Sequence, residues 1–135
     1  MSSLPHRCSP PSPAVTAAGI DHVRLMYHYL DTGDIDAIGS LLDENAQVKR
    51  PDVPYGHGRE EVVRLHAEIV GPTDNHHIYK IIADGYCVVA TGRFTESGSS
   101  REEQGPREAE FADFFTLTDE GMLLGYRRFY FVAPT

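Results

Sequence analysis

The sequence predicts an α+β fold: a cone-shaped barrel of a curved, mostly antiparallel sheet packed against three N-terminal helices. Helical periodicity is confined to the first half of the chain. The second half is a run of strand-like segments separated by turn residues. A chain of 135 residues holds one core and not two, so both halves must share it. Helices gathered on one side of such a sheet close one end of a conical cavity, whose inward positions are where chemistry sits.

Residues 1–17, rich in Pro and Ser, read as a flexible tail ahead of a single domain over 18–135. The first helix shows in Ile20, Val23, Tyr27 and Leu30, and DTGD stops it at Gly33. Asp34 then suits the N-cap of a shorter helix with Ile35, Ile38, Leu41 and Leu42 facing inward. AQVKR is a short strand, broken by Pro51, Pro54, Gly56 and Gly58. GREEVVRLHAEIVG gives a third helix, with acids in its first turn and Val62, Leu65 and Ile69 on one stripe, ending near Gly71. Four strand-like segments follow: HHIYKII, YCVVATGRFTE, AEFADFFTLT and MLLGYRRFYFV. The turns ADG and DEG separate the outer pairs, and the polar stretch from Glu96 to Glu108 reads as a long hairpin loop.

Composition removes several function classes. A hydrophobic share of 41% with 24% charged residues is that of a globular domain, and no apolar run reaches the roughly 20 residues of a membrane helix. Membrane insertion is not expected. Net charge is −8 with no basic stripe, which leaves no electrostatic grip on nucleic acid. Cys8 and Cys87 do not make a disulfide framework, and the N-terminus lacks an apolar signal core, so a cytoplasmic location is expected. His76 and His77 are adjacent on a strand and point to opposite faces, and no H-x-x-x-H or C-x-x-C spacing occurs, so no metal is expected.

One strand is unusual. In EFADFFTL, residues Phe111, Asp113, Phe115 and Leu117 share a face, so a carboxylate is aimed among apolar side chains. An unpaired buried charge costs several kcal/mol. On the last strand Met122, Leu124, Tyr126, Arg128, Tyr130 and Val132 form one face and Arg127 lies on the other, so whichever face looks inward offers Asp113 an arginine partner. On the first helix His22, Met26 and Tyr29 lie at i, i+4 and i+7 and form a stripe suited to lining the cavity.

The order of elements, the phrase YLDTGDIDAIGSLLDENAQVKRP, the Gly58-Arg-Glu-Glu-Val helix start and ADFFTLTDEGMLLGYRRFY together resemble the nuclear transport factor two-like superfamily, in its SnoaL-like and ketosteroid-isomerase-like branch. The likeness runs from about Ile20 to Val132. It implies that Asp113, followed by Phe114-Phe115 and a turn at Gly121, stands where both isomerases and polyketide cyclases place a catalytic carboxyl. The isomerase tyrosine falls on Met26, with Tyr27 one place off, and the isomerase base falls on Arg50, with Asp52 a one-residue slip away. The resemblance also implies that the face of the last strand that carries Arg128 looks into the cavity, and that a homodimer forms through the outer sheet face, with Val89, Thr91 and Phe114 exposed.

These readings converge on an acid/base enzyme that needs no cofactor, of the isomerase, cyclase or dehydratase type, acting on a hydrophobic oxygenated small molecule such as a polyketide or terpenoid intermediate. Asp113, Arg128 and Tyr130 are the expected catalytic residues. His22, Met26, Tyr29, His76, His77, Phe111, Phe115 and Tyr126 are the expected substrate-binding ones. Asp113 is either a proton-exchanging group or the anion of a buried pair with Arg128. An epoxide hydrolase of the same fold, with Asp52 or Glu96 as second carboxylate, and a non-catalytic binding or dimeric interaction protein are the alternatives.

Overall fold

The computed structural model describes residues 10–51, 54–69, 75–96 and 107–131. Helix α1 spans Pro13–Thr32, α2 Ile35–Gly39 and α3 Arg59–Ile69. The strands are β1 Leu42–Lys49, β2 Gly56–His57, β3 Asn75–Asp84, β4 Cys87–Glu96, β5 Arg107–Leu117 and β6 Leu123–Tyr130. They form one curved, unclosed sheet in the order β2-β1-β6-β5-β4-β3, all antiparallel except for the β1–β6 pair. The α+β expectation holds, with edge strands β2 and β3 left unjoined.

Helix α1 begins inside the segment read as a tail. Ser12 accepts a hydrogen bond from the Val15 amide and Pro13 occupies the first helical position, where its missing N–H is no loss. The helix stops at Gly33, whose φ of 75° is a left-handed cap, and Asp34 caps α2 through the Ala37 amide. Leu41 and Leu42 lie beyond α2, and Leu42 instead opens β1, which is therefore longer than the AQVKR strand expected. The short strand β2, after Pro54, was not evident from the sequence.

All three helices lie on one side. Helix α1 packs on β3, β4 and β6, and α3 on β1 and β2. Between helices and sheet sits a core in which Val23, Met26 and Leu30 meet Val88, Ala90, Phe115 and Leu117. Two bulges set which side chains enter it. In β3 the pairing with β4 skips Tyr79, so His76 and Ile78 point in before the bulge, and Ile81 and Ala83 after it. Gly92 lies opposite, and a Cβ there would come within 2.3 Å of the His77 carbonyl. In β6 the pairing passes from Gly125 to Leu123, so Leu123 is buried in place of Leu124, and the expected even-numbered face holds only from Tyr126 onward.

Candidate functional site

Residues Phe111, Asp113, Phe115 and Leu117 all face inward, as the alternation of β5 requires. Asp113 sits directly across the ladder from Arg128. Their side chains are fully out of water and joined by two hydrogen bonds of 2.8 Å, Arg128 Nε to Oδ1 and Nη2 to Oδ2. Such a fork satisfies both charges at once. Two phenols complete the shell of Oδ2: Tyr27 donates at 2.6 Å and Tyr126 at 3.3 Å. The carboxylate accepts from four donors, three of them at Oδ2, which is the arrangement of the buried-pair alternative for Asp113.

The donors are matched to that role. Burial, reinforced by the Asp113 charge, raises the Tyr27 phenol well above its ordinary value. Burial raises Tyr126 likewise, against a lowering by Arg128. Both phenols stay protonated and keep donating. Burial alone lowers Arg128, but Tyr126 and Asp113 more than offset this and hold it a cation. Its guanidinium lies 4.3 Å from the Phe111 ring centre.

A second cation joins from the residue just past the end of β1. Arg50, only 7% exposed, donates to the Tyr126 hydroxyl at 3.3 Å and to the Tyr130 hydroxyl at 3.2 Å. Arg128 Nη1 reaches the same Tyr130 oxygen at 3.4 Å. The half-buried Tyr130 hydroxyl thus receives two guanidinium hydrogen bonds, which leaves its own proton as the one to give away.

The expected site residues divide into two groups. Asp113, Arg128, Tyr130, Tyr126, Phe111, Phe115 and His76 come together: Phe115 stacks on Tyr126 at 4.9 Å, and His76 lies 5.6 Å from the Phe111 ring and 5.1 Å from that of Tyr27. The rest do not join them. His77 is exposed on the far face against Tyr79. His22 donates from Nδ1 to the Gly121 carbonyl at 2.8 Å, tying α1 to the turn before β6. Gly121, with φ of 82° and Val15 O about 3.0 Å from where a Cβ would stand, lets that turn press on the helix. Met26 is wholly buried core and Tyr29 is partly buried against the core.

It is Tyr27 that reaches Asp113, one residue from the position the resemblance indicated. Arg50, on which the resemblance places the isomerase base, lies inside the network as a donor. Asp31 and His66 were also missed. Asp31 holds His76, and His66 stacks on Tyr126 at 5.9 Å while Nδ1 donates to the Val62 carbonyl. Asp52 lies outside the described residues, as does the side chain of Glu96. Among the described residues no cluster of His, Cys, Asp or Glu is arranged to hold a metal, and no helix is long and apolar enough to cross a membrane.

Three helices over a curved mixed sheet give the nuclear transport factor two-like fold, with a buried Asp–Arg pair on the inner face of the sheet. The chain belongs to the SnoaL-like domain family, whose pattern matches residues 23–124. Among solved structures it is similar to a proposed ketosteroid isomerase from Kribbella flavida DSM 17836, with TM-score 0.74, 17% identity, and coverage of 92% of this chain and 85% of that one. It is also similar to a proposed SnoaL-like polyketide cyclase from Jannaschia sp. CCS1, with TM-score 0.73, 16% identity and 90% of each chain covered. An LEH-like epoxide hydrolase from M. tuberculosis matches with TM-score 0.72 and 18% identity, over 86% of this chain and 84% of that one. At such identities the likeness is one of fold. Comparison with curated proteins gives no match.

Proposed function

We propose that the protein is a cofactor-independent acid/base enzyme that stabilises a developing oxyanion on a hydrophobic, oxygenated small molecule, in a reaction of the isomerase, cyclase or dehydratase type. The observation that carries this reading is the Tyr130 hydroxyl with Arg50 and Arg128 both donating to its oxygen. A phenol polarised in that way, at the edge of a water-poor aromatic cluster, is a strong donor to a carbonyl oxygen that gains charge. Asp113 serves as the anchor: it fixes Arg128, Tyr27 and Tyr126 so that the donors need no rearrangement during reaction. The partly buried rings of Phe94 and Tyr130 at the edge of this core favour a flat apolar substrate, in keeping with a polyketide or terpenoid intermediate of secondary metabolism.

β-Naphthol tests this, because its emission distinguishes the neutral form from the anion. The bound dye is expected as naphtholate at neutral pH, and Tyr130→Phe should lose that signal. Binding only as neutral naphthol would overturn the reading.

A second reading, epoxide hydrolysis, is favoured by one observation, the two-bond pairing of Asp113 with Arg128. A buried guanidinium can polarise an epoxide oxygen as well as a carbonyl. Formation of a diol from styrene oxide would select it. The same account has the protein in the cytoplasm as a homodimer, with exposed Phe114, Phe129 and Phe131 on the outer sheet face covered by a second copy. Light scattering in solution is expected to give twice the chain mass.

A further inference from the structure

His76 and Asp31 form a dyad beside this network. The His76 Nδ1 and the Asp31 Oδ1 lie 2.6 Å apart, and the same carboxylate accepts from the His76 backbone amide through both oxygens at 3.1 Å. A carboxylate only accepts, so Nδ1 carries the hydrogen and, in the neutral ring, Nε2 carries the lone pair. That nitrogen is buried without a hydrogen-bond partner among the described residues, in a side chain 4% exposed. A buried acceptor left unmet is costly, so such an atom calls for an explanation. The ring lies among Tyr27, Phe94 and Phe111, and the last two also flank the Arg128 guanidinium.

We propose that His76 is the general base of this site, with Asp31 as its positioning residue, removing a proton from carbon next to a substrate carbonyl. The step balances: the C–H bond breaks, its proton goes to Nε2 to give an imidazolium, and the electron pair moves through the new C=C bond to the carbonyl oxygen. The resulting enolate is met by the Tyr130 hydroxyl, and return of the proton to another carbon completes an isomerisation. Burial lowers His76 below its usual value against the raising effect of Asp31, so the ring is neutral and able to accept at neutral pH. Groups facing it are Asp31 and Tyr27 on α1, Asp113 on β5 and Arg128 on β6.

The inference rests on the acid/base reading above, and two measurements separate them. Ring nitrogen NMR of the wild-type protein is expected to show Nε2 of His76 as a bare lone pair that shifts on addition of β-naphthol; an unmoved resonance at the highest soluble dye overturns the proposal. Deuterium uptake by α-tetralone in heavy water is expected to fall by about 10²- to 10⁴-fold in His76→Gln. Asp31→Asn should move the acidic limb of the pH–rate profile to lower pH, which a merely structural carboxylate would not do. Full activity in His76→Gln overturns the base assignment while the proposed function stands. A wild-type protein that shifts Nε2 but exchanges no deuterium overturns both the base and the enzyme reading, leaving His76 as a ligand contact.

Discussion

Arg128 grips Asp113 through two parallel hydrogen bonds of 2.8 Å, with both side chains wholly removed from water. Neither charge is tolerable there without the other. Asp113→Asn should therefore destabilise the fold by about 3–5 kcal/mol, and Arg128→Met alone by a similar amount. The double variant should recover much of the loss. Denaturant unfolding of the three proteins checks this; equal stability of Asp113→Asn and wild type would mean the pair is not what holds β5 to β6.

Tyr27 makes the shortest hydrogen bond to that carboxylate, at 2.6 Å from the middle of α1. Its loss in Tyr27→Phe removes a bond to a charged acceptor but opens no cavity. The expected cost is about 1.5–3 kcal/mol, read as a lowered midpoint with an unchanged denaturant slope.

Gly92, on β4, lies opposite the β3 bulge beside which His76 points inward. An alanine Cβ would lie 2.3 Å from the His77 carbonyl, which is backbone and has no rotamer to yield. Gly92→Ala should cost about 1–3 kcal/mol and displace His76, visible as a change in its ring resonances. Gly85→Ala, in the β3–β4 turn with φ of 63°, is strained by its backbone alone and should leave those resonances in place.

His76 also makes stability depend on pH. Burial lowers its folded value, so the unfolded chain takes up the proton first as pH falls. Its contribution is fully present above the unfolded value of about 6.5 and is lost as pH drops toward the folded one. Asp31, Tyr27, Asp113 and Arg128 are the charged or titratable groups around it. The melting temperature of wild type should fall more steeply over that range than that of His76→Gln; parallel curves would contradict a ring buried in its neutral form.

Much of this was legible in the sequence, and the exceptions have physical causes. Strand alternation put Asp113 on an apolar face, and the resemblance turned the Arg128 face toward the same cavity, where the two pair across the ladder. The helix phase was harder: one residue turns a side chain by about 100°, so a resemblance pointing to Met26 missed Tyr27. The i, i+4 spacing of Tyr27 and Asp31 on the stripe begun by Val23 was the available signal. Arg50 was likewise readable, since it shares parity with buried Ala46 and Val48. The bulges at Tyr79 and Leu124 were not, because a bulge is set by the partner strand and not by local pattern.

The central claim is that Tyr130, backed by Arg50 and Arg128, stabilises negative oxygen. Its most direct test is the rate of deuterium uptake by α-tetralone in heavy water with wild-type protein and with Tyr130→Phe, both confirmed folded by melting. The account predicts that wild type exceeds buffer and that the variant loses roughly 10²- to 10³-fold, the usual cost of one oxyanion donor. A Tyr130→Phe protein as fast as wild type would contradict it.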